Sequence, residues 1–164
     1  MMKRRTIVPS ALKGVYRNWH FAPAVVVDGM VYCSGIIGTS ADGEPPQRDA
    51  AGAALHGASQ TTADPAAGIA ALQAVRDPRA QFETAFEALA VILEAAGARL
   101  ADIVEITSYH VDMARPMETF VAVRDRYLAE PWPAWTAIGV TELAVPGGLL
   151  ELRAIAALPH GDGG

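Results

Sequence analysis

The stretch Ala24-Val25-Val26-Val27-Asp28-Gly29-Met30-Val31-Tyr32-Cys33 decides how the rest of the chain is read. Two apolar runs rich in β-branched residues flank Asp28-Gly29. Asp-Gly readily supplies the positive φ angles of a type I′ turn, so the stretch predicts a tight β-hairpin. Ser34-Gly35 ends its second strand. Further along, Asp77-Pro78 predicts a helix start, with Asp as N-cap and Pro at the first helical position. Phe82, Phe86, Leu89, Leu93 and Ala96 then form a single apolar stripe at helical spacing, which Gly97 closes. Asp102 to Val111 reads as a strand, and Pro116 to about Glu130 as a second helix. Pro131-Trp132-Pro133 cannot continue that helix and is a connection. Trp135 to Leu143 and Leu149 to Leu158 read as two closing strands, with Pro146-Gly147-Gly148 as the turn of a second hairpin.

The order is β-β-excursion-α-β-α-β-β. It predicts one α+β domain over residues 1–164, a sheet with two helices on one face. The excursion, from about Thr39 to Asp77, is Ala-, Gly- and Pro-rich, with a short helix expected around Gly68 to Val75. Consecutive Val25, Val26 and Val27, and Leu149, Leu150, Leu152 and Ile155, put apolar residues on both faces of the sheet. One helical layer covers one face, so the other predicts burial against further copies of the chain.

Composition narrows the function. The chain has 164 residues, 51% of them hydrophobic and 19% charged, which suits a single buried core. A net charge of −5 lacks the basic footprint of a nucleic-acid binder, so no nucleic-acid partner is expected. No apolar run approaches the ~18 residues of a membrane helix, so no membrane partner is expected and the cytoplasm is the expected location. Cys33 is the only cysteine, which excludes an intramolecular disulfide framework. His20, His56, His110 and His160 share no metal-binding spacing, and no Gly-rich phosphate loop opens a helix. No metal and no cofactor are expected. Lys3 and Lys13 are the only lysines, leaving a Schiff base few candidates.

Several runs together resemble the YjgF-like reactive-intermediate deaminase (Rid) family. They are Gly14-x-Tyr16, Ser34-Gly35, Phe86-Glu87-Ala88-Leu89 to Gly97, Leu100 to Val104, Pro133-Ala134-x-Thr136, and Gly148-x-x-Glu151-x-x-Ala154-Ile155-Ala156. The resemblance covers nearly everything outside the excursion. It implies a chorismate-mutase-like fold of the bacillus type, a homotrimeric barrel with ligand sites in the clefts between subunits, and hydrolysis of small imines and enamines such as 2-aminoacrylate. The family's acidic residue falls on Glu151. The family's substrate-binding Arg, after Pro-Ala, is replaced by Trp135, and its cysteine two residues on by Ala137.

The candidate residues carry alternatives. Glu151 is either a strand carboxylate paired with Arg153 or the group that positions water on a C=N carbon. Arg124 falls inside the apolar stripe of Met117, Phe120, Val121, Tyr127 and Leu128. It either snorkels to a nearby carboxylate or acts as the anion clamp missing at Trp135. Trp135 either fills a cleft or stacks on a flat ligand. Tyr16 is a ligand contact or a packed ring, and Ser34 and Gly35 offer backbone groups. Trp19-His20-Phe21 is an aromatic cap or brings His20 in as an acid or base. His110 reads as structural, and Cys33 as an inert core residue. The leading reading is a hydrolytic deaminase of an imine or enamine bulkier than 2-aminoacrylate. The rival is a non-catalytic trimer that binds a small carboxylate or imine ligand, with a ribonuclease as a third choice.

Overall fold

The computed structural model describes residues 3–47 and 72–159. Its main sheet contains β1 (Arg4–Ile7), β2 (Ala24–Val27), β3 (Met30–Cys33), the short β4 (Ile36–Ile37), and three long strands described below. The Asp28-Gly29 turn is present, both residues have positive φ, and Val27 lies opposite Met30 as the hairpin reading requires. A two-stranded ribbon, β5 (Thr39–Ser40) with β6 (Gln73–Ala74), pins the two feet of the excursion side by side. The helix expected near Gly68 to Val75 is not found in its described part, where Gln73–Ala74 is strand; 68–71 lie outside the described residues.

Among the described residues three α-helices accompany the sheet where two were expected: α1 (Lys13–Trp19), α2 (Pro78–Ala96) and α3 (Met117–Tyr127). The Asp77 carboxylate accepts from the Ala80 N–H at 2.8 Å, and Gly97 closes α2 in a left-handed conformation. Phe82, Phe86, Leu89 and Leu93 are fully buried, so the stripe read from the sequence faces the sheet. The α3 helix packs on α2 through Phe120, whose ring meets Phe82 and Phe86 at centroid distances of 6.0 and 6.4 Å, and through Tyr127 and Arg126. Tyr127 lies parallel to Phe86 with ring centroids 5.1 Å apart, its hydroxyl donates to Glu87 at 2.9 Å, and Arg126 pairs with Glu83.

The long strands are β7 (Ile103–Val111), β8 (Ala134–Val140) and β9 (Leu150–Ala157). The expected closing hairpin is absent. The order across the sheet is β1-β2-β3-β9-β7-β8, so β7 separates the last two strands. It runs parallel to β8 and antiparallel to β9. The segment holding Pro146, Gly147 and Gly148 therefore crosses over β7 instead of turning back on its neighbour. This crossover puts β9 in the middle of the sheet. Leu150, Leu152, Ala154 and Ala156 face the helices and are buried, while Glu151, Arg153 and Ile155 point to the opposite face.

Candidate functional site

The site grows from a break in one strand. β3 stops at Cys33, Ser34-Gly35 carries the chain around the break, and β4 pairs with β9, Ile37 opposite Glu151. The Ser34 hydroxyl donates to the Ala22 carbonyl at 2.6 Å, fixing the bend. A β-carbon on Gly35 would lie 1.8 Å from Glu151 Oε1, so the carboxylate occupies space that only glycine leaves open. Glu151 is half-buried and makes no ion pair or hydrogen bond among the described residues, so the pairing with Arg153 is not formed. Burial pushes its carboxyl pKa above the ordinary glutamate value.

Glu151, Ser34 and Gly35 line one cavity of about 310 Å³, an ordinary size for a small-molecule site. Trp19 and Phe21 form one wall, Ala88 and Ile92 of α2 another. The Gln81 side chain helps to fix this arrangement. It is fully buried, its amide NH₂ donates to the Val75 and Gly147 carbonyls at 2.9 and 3.1 Å, and its oxygen accepts from the Leu149 N–H at 2.7 Å. One side chain thus locks the foot of the excursion and the start of β9, two residues before Glu151. Sequence reading passed over Gln81. Its signal was a polar residue at the helical spacing of Ala85 and Leu89. Tyr16 lies instead on a more open groove with Arg4, Arg17 and His20, and Ser34 borders both spaces. His20 caps α1 in a left-handed conformation and does not line the Glu151 cavity.

Arg124 and Trp135 form a separate pair. The Arg124 guanidinium lies 4.4 Å from the centroid of the Trp135 ring, a stacked cation–π contact. It is also held by Asp125, with Nε and Nη2 at 2.8 and 2.7 Å from Oδ1. Trp135 leans on Phe120 with centroids 6.0 Å apart, and its indole N–H donates to Ser108 Oγ at 2.9 Å. Within one chain this pair is remote from Glu151. Trp135 is in register with Ile106 and Glu151 with Tyr109, three residues apart on β7, so the two side chains leave opposite faces of the sheet.

Beneath Trp135 lies a buried polar run that the sequence reading treated only as structure. Ser108 Oγ is 2.8 Å from His110 Nε2, both residues are fully buried, and the His110 ring stands edge-on to Phe120. Burial lowers the His110 pKa, which keeps the imidazole neutral. Cys33 is buried, and burial outweighs the attraction of Arg153 and pushes the thiol up to about 12, which leaves it a poor nucleophile. His56 and His160 lie outside the described residues. Among the described residues, no three His, Cys, Asp or Glu side chains are grouped to hold a metal ion, and no helix is long and apolar enough to cross a membrane.

The fold and the Glu151 site define a class that comparison with known proteins makes specific. Residues 50–158 match the family model described as endoribonuclease L-PSP, and the chain belongs to that YjgF-type family. It is 28% identical over 161 residues to the RutC family protein YjgH of Escherichia coli K12, covering 98% of this chain and 99% of that protein. A solved structure of a protein YjgH superposes with a TM-score of 0.68 at 26% identity, over 96% of this chain and 98% of that one. The structure of RidA from an Antarctic Psychrobacter gives 0.66 at 25% identity, over 94% and 100% of the two chains.

Proposed function

We infer that the Glu151 cavity is a small-molecule site in which a C=N bond is hydrolysed to a carbonyl and ammonia. The observation that carries this reading is the placement of a half-buried, unpaired carboxyl of raised pKa against Gly35, on the wall of an apolar cavity. A carboxylic acid in such a setting is suited to proton transfer near neutral pH. Its proton passes to the imine nitrogen, and the resulting carboxylate takes a proton from a water molecule as that oxygen adds to the carbon. Return of this proton to the nitrogen of the carbinolamine releases ammonia, the hydroxyl proton passes to the carboxylate, and the carbonyl remains. Water and an imine are consumed, and the carboxyl is regenerated.

The site is completed in a homotrimer. Tyr32, at 42% exposure, and Ile138, at 39%, lie on the sheet face opposite the helices, in line with Ile155 and Tyr109. Large apolar side chains on one uncovered face favour association. Trp135 and Arg124 on the β8 side then serve as the wall that a neighbouring subunit brings to the cavity. In that wall Trp135 is a flat platform for the ligand, and Tyr16 closes the outer groove. The Asp125 contacts argue against Arg124 as a free anion clamp. They favour, as the second reading, a trimer of the same architecture that binds a small molecule without turning it over. An acidic chain with net charge −5 favours either reading over RNA cleavage.

Ammonia release from imines generated in situ tests the reading. The parent protein accelerates hydrolysis above the buffer rate, and Glu151→Gln abolishes that acceleration while still binding the carbonyl product. Binding without acceleration by the parent protein would select the non-catalytic trimer.

A further inference from the structure

The open groove beside the Glu151 cavity carries charge that the chain does not answer. It encloses about 600 Å³, and Arg4 of β1, Tyr16 and Arg17 of α1, and His20 at the helix end line it. No Asp or Glu is among the lining residues. Arg4 and Arg17 are exposed and make no ion pair or side-chain hydrogen bond among the described residues, and Tyr16 is 47% exposed. On a chain of net charge −5, the groove is a local reversal of sign. The fold explains how it forms. Arg5 donates to the Ala96 carbonyl at the end of α2, so its neighbour Arg4 points to the other face of the sheet, where Glu151 also lies. The left-handed turn at His20 ends α1 and leads into Phe21. Phe21 and Ser34 line both the groove and the Glu151 cavity, so the two spaces share a rim.

Two guanidinium forks and a phenol O–H on one groove are donors that call for an anion with several acceptor oxygens. A carboxylate has two oxygens and one charge, which a single Arg serves. A phosphate monoester has three terminal oxygens and close to two charges at neutral pH, which suits both arginines and Tyr16 together. Position sets the rest of the ligand. An anion bonded directly to the C=N carbon would sit in the cavity beside Glu151. An anion in the groove is separated from that carbon by the Phe21–Ser34 rim, so several bonds must lie between them. We propose that the groove is the anion subsite of the Glu151 cavity and takes a phosphate monoester. The ligand is then an imine, or the carbonyl compound it yields, with phosphate on a chain several bonds from the reacting carbon. This rests on the reading of the Glu151 cavity as the ligand site. The cation absent at Trp135 is supplied from β1 and α1, and Arg124 stays bound to Asp125.

The test is calorimetric titration of the full chain with four probes. They are 4-oxopentyl phosphate, its neutral counterpart 5-hydroxypentan-2-one, the carboxylate counterpart 5-oxohexanoate, and inorganic phosphate. The phosphate ester binds about tenfold or more tightly than each of the other three. Arg4→Met and Arg17→Met each weaken the ester by about tenfold and leave the neutral ketone within about twofold, with the unfolding midpoint unchanged. A neutral ketone as tight as the ester, or an ester affinity unchanged in either variant, overturns the subsite. Inorganic phosphate as tight as the ester overturns the shared ligand, and 5-oxohexanoate as tight as the ester overturns the preference for phosphate. Binding is read here without turnover. A failure of imine hydrolysis alongside phosphate-dependent binding removes the enzymatic reading and leaves the subsite standing, whereas hydrolysis that gains nothing from the phosphate does the reverse.

Discussion

Glu151 Oε1 stands 1.8 Å from where a β-carbon on Gly35 would be, so carboxylate and glycine define one another's positions. The clash in a Gly35→Ala chain falls on the far end of a flexible side chain, which can swing away cheaply. Stability should therefore change by less than about 1 kcal/mol. The carboxylate, displaced from the cavity wall, should lose roughly 100-fold or more in imine hydrolysis. Thermal unfolding and ammonia release measured together check this. A variant that keeps full activity would detach Glu151 from the chemistry.

Burial raises the Glu151 pKa, and the sign of the linkage follows. The folded state favours the protonated form, so this residue supports folding below the unfolded-state pKa and loses that contribution as pH rises through the higher folded value. Glu151→Gln should then have a higher unfolding midpoint than the parent at pH 7 to 8, converging with it as pH falls into the acid carboxylate range. Unfolding curves across that span read the outcome. A lower midpoint at pH 8 would mean that the carboxylate is favourably paired.

Gln81 should be among the least replaceable polar residues. Gln81→Met keeps the volume and removes three hydrogen bonds to the backbone at Val75, Gly147 and Leu149. With buried backbone groups left unpaired, denaturant unfolding should show a loss of about 2–4 kcal/mol. Ser108→Ala should lose about 1–3 kcal/mol, because Trp135 Nε1 and His110 Nε2 both meet the Ser108 hydroxyl. Losses below 0.5 kcal/mol in both would show that these contacts are not formed in solution.

The two polar contacts also mark where the sequence stops being legible. The hairpin at Asp28-Gly29 and the α2 stripe are local patterns, and local geometry dictates both. The second hairpin fails because Pro146-Gly147-Gly148 has turn chemistry whether the strands beside it are neighbours or flank a third. Only long-range pairing with β7 decides that. β1 has no apolar alternation to announce it, because Arg4, Arg5 and Thr6 are exposed on an edge strand and only Ile7 is buried. α1 carries Gly14 and buries only Val15, too weak a pattern to announce a helix. Glu151, Ser34 and Gly35 stand out in the sequence only through the motifs shared with the family, whereas their meeting at one cavity depends on the pairing of β4 with β9.

Association through the open sheet face should be visible directly. Light scattering is expected to give a trimer at micromolar concentration. Ile138→Glu, which puts a charge on that face opposite Tyr109, should shift the population toward monomer. A parent chain that is monomeric under these conditions would remove the shared cleft and with it the role assigned to Trp135.

Arg124 gives the last prediction. Its guanidinium is stacked on Trp135 and bonded through two nitrogens to Asp125, and its side chain is 18% exposed. An anion clamp requires free N–H groups aimed at the ligand, and two of these are already committed. Arg124→Met keeps the stem against the ring and removes the charge. It should lower stability by roughly 0.5–1 kcal/mol through the lost cation–π contact, while carboxylate binding changes less than about twofold. Asp125→Asn is the complementary change. If Arg124 is a clamp restrained by its neighbour, releasing it should tighten binding of phenylglyoxylate, an aryl 2-keto carboxylate, severalfold. If Arg124 is only the backing of the Trp135 platform, that affinity should hold. A tenfold loss of carboxylate binding in Arg124→Met would restore the clamp and mark carboxylate-bearing compounds as the ligands of the site.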